Sequence, residues 1–99
     1  MNDRQIAQEA MDGSPSTVEL AGGTRIKFQL GPVQEVGVNG CQIEDVLEVL
    51  ERRLDGFQRG AFACEENSVA LSHLRGAKAA LLIRTRKRVV RGVEGRSQP

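Results

Sequence analysis

The sequence predicts an α+β protein: an N-terminal β-hairpin or small antiparallel sheet, followed by a long antiparallel two-helix hairpin, assembled as an oligomer. Three observations carry this. Polar and apolar residues alternate over 17–20 and again over 24–30, with Ala21-Gly22-Gly23 between them, which is the pattern of two half-buried strands joined by a glycine-containing turn. Ile43, Val46, Leu47, Leu50, Leu54 and Phe57 then recur at intervals of three, four and seven, the stripe of an amphipathic helix. From Cys64 to about Val90 a second helical pattern runs until Gly92 and Gly95 stop it.

Each element has its own warrant. Residues 1–15, rich in Asp, Gln, Gly and Ser and broken at Pro15, show no sustained period and read as a flexible N-terminus. The second strand turns Ile26, Phe28 and Leu30 to one face, and an isolated hairpin is marginal, so it must pack on something. Gly31-Pro32 ends that strand, and 33–40 reads as another short extended piece closed by an Asn39-Gly40 turn. In the first helix Glu44, Asp45, Glu48, Glu51, Arg52 and Asp55 take the polar face, with acids in the first turns where the helix dipole favours them. Gly56 and Gly60 bracket Phe57-Gln58-Arg59 and mark its end. The connector Gly60-Ala61-Phe62-Ala63-Cys64 is short enough to make the next helix antiparallel.

The second helix places Asn67, Ala70, Leu71, Leu74, Ala77, Lys78, Leu81 and Leu82 on or beside its inner face. Gly76 interrupts it at a cost of about 1 kcal/mol relative to Ala. A helix of this length spans roughly 40 Å, against roughly 26 Å for its predecessor, so its basic end from Arg84 to Arg91 overhangs. Leu81, Leu82, Ile83, Val89 and Val90 in and before that overhang call for cover by another subunit. The expected organisation is one domain over 16–95, with a β part at 16–40 and a helical hairpin at 41–91, and a tail at 96–99.

Composition narrows the function. Ninety-nine residues with 39% apolar content, three Phe and neither Trp nor Tyr allow one small domain with a thin core. No apolar run is long enough for a membrane span, and the first thirty residues lack the order of a secretory signal, so a soluble protein of the cytoplasm is expected. Two cysteines and one histidine, Cys41, Cys64 and His73, leave little material for a disulfide framework, a metal centre or a catalytic triad. No cofactor and no enzymatic turnover are expected.

The net charge of +1 hides an uneven distribution. Residues 1–40 sum to −2 and residues 41–74 to −4, whereas the last twenty-five residues hold eight cations against Glu94 alone, a local +7. An anion belongs near that third of the chain: the protein's own acidic segment, a nucleic acid or a phosphorylated small molecule. In a regular helix Arg84, Arg88 and Arg91 share one stripe, so three guanidinium groups can converge on one anion. The bland alternative is a solvated basic face paired with acids of the first helix. Phe57, at a helix end beside Gly56, either stacks on a base or closes the bottom of the helical pair, and Phe62 reads as core. Asn67, in the first turn of the second helix, can cap, satisfy a carbonyl or read a purine edge. His73 reads as an exposed or packing residue, and Cys64 has no basic partner in sequence to make it a nucleophile.

Gly37-Val38-Asn39-Gly40, Gln42-Ile43-Glu44-Asp45, Gly56-Phe57-Gln58, Phe62-Ala63-Cys64-Glu65-Glu66-Asn67, Arg84-Thr85-Arg86-Lys87-Arg88 and Arg91-Gly92-Val93-Glu94-Gly95 together resemble the first type of the phage Thoeris anti-defence sponge family. The helical pair is similar to that of the phage anti-CBASS cyclic-nucleotide sponge. This resemblance implies a non-enzymatic binder that sequesters the cyclic ADP-ribose isomers made by bacterial TIR-domain proteins, in the cytoplasm of the infected host. It implies a homodimer or homohexamer with ligand between subunits, and, in hexameric relatives, separate sites for cyclic di- or trinucleotides. Carried over residue by residue, Phe57 stacks on adenine, Asn67 makes a polar contact, and Arg84 and Arg88 stack and bind the pyrophosphate. Arg91 joins them through its position on the same stripe. The chain departs from the family pattern at Arg96-Ser97, where Thr-His is expected, and within Lys78-Ala79-Ala80-Leu81, where an aromatic is expected. Two further readings stand beside the sponge: a small basic nucleic-acid-binding accessory or repressor protein, and an oligomerisation module without a ligand. No membrane partner is expected, and nucleic acid is the lesser expectation.

Overall fold

The computed structural model describes residues 16–92. The expectations for 1–15 and for 96–99, and the last residues assigned to the domain, lie outside the described residues. The fold is α+β, and it divides into two compact units at the Gln42–Ile43 junction.

In the first unit, β1 (Thr17–Glu19) pairs antiparallel with β2 (Arg25–Lys27), with Val18 opposite Ile26 and Glu19 opposite Arg25. Ala21–Gly23 forms the 3₁₀ turn between them, and the Leu20 amide donates to the Thr24 carbonyl at 2.6 Å to close it. The strand predicted over 24–30 is shorter than expected. After Lys27 the chain changes partner: Phe28 forms a parallel bridge with Cys41, the Gln29 amide donates to the Cys41 carbonyl at 2.8 Å, and the Cys41 amide donates to the Lys27 carbonyl at 2.8 Å.

The extended piece expected over 33–40 is instead a single helical turn, α1 (Val33–Val36). Pro32 caps it with φ −68, and the Glu35 and Val36 amides both donate to the Pro32 carbonyl, at 3.0 and 2.9 Å. Pro32 is extended, with ψ 132, and the turn follows it, where Val33 and Val36, three residues apart, share one face of a helix rather than of a strand. Side chains then close the loop. Gln29 Nε2 donates to the Gly37 carbonyl at 2.8 Å while its Oε1 accepts the Asn39 amide at 2.9 Å. Asn39 bonds the Leu30 backbone in both directions, Oδ1 accepting from the amide at 2.8 Å and Nδ2 donating to the carbonyl at 2.7 Å. The strand therefore passes so close to Gly40 that a Cβ there would stand 2.5 Å from the carbonyl carbon and oxygen of Phe28.

The second unit is the antiparallel pair α2 (Ile43–Gln58) and α3 (Glu65–Arg91). Helix α2 ends at Gln58, between Gly56 and Gly60 as expected, and i,i+4 ion pairs run from Arg52 to Glu48 on its polar face and from Arg59, just past its end, to Asp55. Helix α3 is unbroken at Gly76, where a Cβ would meet nothing within 4 Å, and it ends at Gly92, whose left-handed φ of 75 lets its amide reach back to the Arg88 and Val89 carbonyls. Leu71, 5% exposed, is the one buried apolar side chain among the described residues.

One carboxylate ties the helices together across their polar edge. Glu51 of α2 accepts from Arg75 Nε at 3.0 Å and from Lys78 Nζ at 2.9 Å. The Lys78 ammonium foremost, and the Arg75 guanidinium after it, hold the Glu51 carboxyl below its usual range. With Glu51 opposite 75–78 in an antiparallel pair, the start of α2 falls opposite Arg84 and Thr85. Residues beyond them project past α2, as the difference in helix length predicts.

Two outcomes follow. Gly40→Ala should destabilise the protein by about 1–3 kcal/mol, because the strand must move to admit a methyl group; urea denaturation followed by circular dichroism measures it. Glu51→Gln should lower Tm at neutral pH. Because the folded-state value of Glu51 is depressed, its contribution is complete above the unfolded value of about 4.3 and fades as pH falls through the folded one. The Tm difference between wild type and Glu51→Gln should therefore shrink below about pH 4.

Candidate functional site

The connector end of the helical pair gathers two of the predicted site residues. Phe57 is half-buried in the last turn of α2. The Phe62 ring meets it edge-on, with centroids 5.6 Å apart and planes at 63°, and the Arg53 guanidinium lies over it at 5.0 Å from its centroid. Asn67, partly exposed in the first turn of α3, donates from Nδ2 to the Phe62 carbonyl at 3.0 Å. Of the roles open to it from sequence, Asn67 thus satisfies a carbonyl within its own chain, leaving Oδ1 and one amide hydrogen for other contacts. Gln58 adds a second staple, its Oε1 accepting the Cys64 amide at 3.0 Å. The result is a six-residue connector, 59–64, held by a side chain from each flanking helix.

Phe62 departs from expectation. It is 72% exposed rather than core, lying in the connector with its ring edge-on to that of Phe57. The patch of Phe57, Phe62 and Arg53 is therefore an open aromatic surface with a cation on it. Arg53 was not among the predicted site residues, although its i,i+4 spacing from Phe57 is the signal that could have found it. His73 is exposed, and Cys64 stands exposed at the N-cap of α3 with no side-chain capping bond. Among the described residues no group of His, Cys, Asp and Glu side chains could hold a metal ion.

The arginines lie elsewhere. Because α3 is continuous from Glu65 to Arg91, Arg84, Arg88 and Arg91 do share the predicted stripe, but seventeen residues of helix separate Asn67 from Arg84, roughly 25 Å along the axis. Within one chain the ring-and-amide end and the arginine end do not meet. Arg84 is exposed, whereas Arg88 is 9% exposed; Arg88 and Arg91 both make contacts of their own. The alternative of a basic face neutralised by α2 holds for Arg75 and Lys78, which share Glu51. It does not extend to Arg84, Arg86 and Lys87, which are exposed and have no ion pair among the described residues. Around them Leu82 is 49%, Ile83 51%, Val89 59% and Val90 86% exposed.

The family model of the Acb2/Tad1 hairpin domain matches residues 22–82, well over half the chain. The chain belongs to the Acb2/Tad1 hairpin family. Thoeris anti-defense 1 of Bacillus phage SBSphiJ7 is 46% identical over 70 residues, covering 71% of this chain and 49% of that protein. This member of the hairpin family thus spans about half the length of the curated relative it matches. The matched stretch includes Phe57 and Asn67, and stops just before Arg84.

Asn67→Ala should loosen the connector, since it removes the bond to the Phe62 carbonyl. The expected cost is about 0.5–1.5 kcal/mol, measured by urea denaturation, with faster amide hydrogen exchange confined to 59–64.

Proposed function

We propose that this protein counters bacterial Thoeris defence by sequestering a cyclic ADP-ribose-type signalling nucleotide, glycocyclic ADP-ribose, without turning it over. The relative's name, Thoeris anti-defense 1, supplies the defence system. What supports the binding mode is the separation of two complementary half-sites at opposite ends of the helical pair. One end of the pair offers a ring and an amide, suited to a purine. The other end offers exposed Arg84 with Arg88 and Arg91 behind it, suited to a pyrophosphate through planar, charge-assisted donors. A cyclic ADP-ribose-type ligand is much shorter than the roughly 25 Å of helix between the two ends and cannot touch both in one chain. In a homo-oligomer the ring end of one protomer meets the arginine end of its partner, while Leu82, Ile83, Val89 and Val90, on the side of α3 opposite Arg84, Arg88 and Arg91, form a separate apolar patch of the kind that marks an interface. The proposed assembly is a homo-oligomer with ligand between protomers, as a dimer or a hexamer, and cyclic di- or trinucleotides are the class of second ligand in the hexameric form.

Sequestration is a mass-action mechanism. Protein in excess over its dissociation constant lowers free signal to the level set by that constant, and no proton transfer or bond cleavage is needed. The exposed cations Arg84, Arg86 and Lys87 also speed the arrival of an anionic ligand.

Calorimetric titration with glycocyclic ADP-ribose, followed by heat denaturation and chromatography of the nucleotide, tests the proposal. Tight binding with intact ligand recovered is the expected result. Arg84→Ala is the cleaner variant, because Arg84 is exposed and its loss leaves the fold in place, and it should weaken binding at least tenfold, the scale of one charged hydrogen-bonded contact. Mixing Phe57→Ala protein with Arg84→Ala protein should regenerate binding that neither shows alone, since mixed oligomers contain some sites with both halves intact. Absence of binding at micromolar protein, or affinity for duplex DNA that falls steeply with salt, would overturn the proposal in favour of a nucleic-acid binder.

A further inference from the structure

Arg53 has an unusual assignment among the charges of α2. The carboxylates near it are committed: Glu48 to Arg52, Asp55 to Arg59, and Glu51 to Arg75 and Lys78 across the helical pair. Arg53 instead carries its guanidinium over the Phe57 ring, 5.0 Å from the centroid. That ring is bounded on another side by Phe62 at 5.6 Å, and Phe62 is fixed through its carbonyl by Asn67 and through the connector by Gln58. A phenyl ring at a helix end with only one neighbour is free to change rotamer. With a cation over it and a second ring against it, its rotation is restricted.

We infer that Arg53 is a positioning residue of the nucleotide site: it acts through the Phe57 ring, holding that ring at the tilt required for stacking before ligand arrives. This rests on the proposed role of Phe57 as the base-stacking residue. The physical basis is preorganisation, since ordering a side chain in advance removes that cost from the binding step. Arg53 is therefore distinct from Arg84, which the proposed function sets against the pyrophosphate. Its contribution should be visible only while the ring is present.

A double-mutant cycle on the full chain, with glycocyclic ADP-ribose as the probe, decides this. Arg53→Ala should weaken binding about two- to fivefold, the span of an exposed cation–π contact, with Tm near that of wild type because the side chain is on the surface. Arg53→Lys keeps a cation within reach of the ring and should recover part of the loss. In a Phe57→Leu background Arg53→Ala should have no further effect. The salt dependence of binding gives a second decision that does not need Phe57→Leu. A residue acting through the ring leaves the slope parallel to that of wild type, whereas a direct phosphate contact flattens it when removed. Unchanged affinity in Arg53→Ala, an equal loss in the Phe57→Leu background, or a flattened salt slope would each overturn the inference while leaving the proposed function standing. A wild-type protein that binds no nucleotide would overturn both.

Discussion

The Glu51 carboxylate, shared between Arg75 and Lys78, fixes how α2 and α3 lie against each other, and most of the molecule's character follows from that register. Half-buried Val46, Leu47, Leu54, Leu74 and Leu81 accompany Leu71, the one buried apolar side chain among the described residues, and supply the non-directional part of the packing. An ion pair is directional where apolar contact is not, so a helical pair with little core can still have a single alignment. Sixteen residues of α2 against twenty-seven of α3 then leave the arginine end of α3 past the start of its partner. The connector sits at the opposite end, and the two surfaces with binding character are separated by the length of the shared helix.

Charge follows the same division. Acids of α2 are consumed locally by Arg52 and Arg59, or across the pair by Arg75 and Lys78. Exposed cations without an ion pair among the described residues include Arg84, Arg86 and Lys87 toward the end of α3. At about 100° per residue Arg84, Arg88 and Arg91 share one side of that helix, whereas Leu82, Ile83, Val89 and Val90 lie on the opposite side with Arg86 among them, so Arg86 is the cation that covering the apolar side would dry. Guanidinium groups in such a setting remain charged and gain strength as water is excluded.

Much of the fold was legible because helices announce themselves through spacing. The three-four-seven recurrence from Ile43 to Phe57 and the pattern ending at Gly92 gave both long helices and their antiparallel connection, and the alternation on either side of Ala21-Gly22-Gly23 gave the hairpin. A short stretch was misread. Residues 33–40 read as an extended piece in sequence, but a single helical turn forms at Val33–Val36 after Pro32, and Val33 and Val36, three apart, fit one face of such a turn. The clamp of Gln29 and Asn39 on the 29–39 loop is a contact between side chains and backbone ten residues away, which no periodicity encodes. At the candidate site, position and residue type pointed to Phe57 and Asn67, which the fold brings to one end of the helical pair, and the exposure of Phe62 was not legible because a phenylalanine between two helices is ordinarily covered. That Arg88 is nearly buried while Arg84 on the same stripe is open depends on what packs around each, and helical spacing alone treats them alike.

Helix α3 also acts as a ruler. Because it runs without interruption from Glu65 to Arg91, the offset between Asn67 and Arg84 is set in both distance and direction by the number of residues between them. Adding one residue would shift the arginines by about 1.5 Å and swing them by about 100° around the axis, while insertion of seven would nearly restore the direction at a separation longer by about 10 Å. Substitutions at exposed positions such as Ala79, Ala80 and the unopposed Gly76 leave this offset unchanged, but changes in the helix's length do not. In the proposed assembly, two chains with helices of different length would present their ends out of step, so the length of the helix would favour matching copies over mismatched ones.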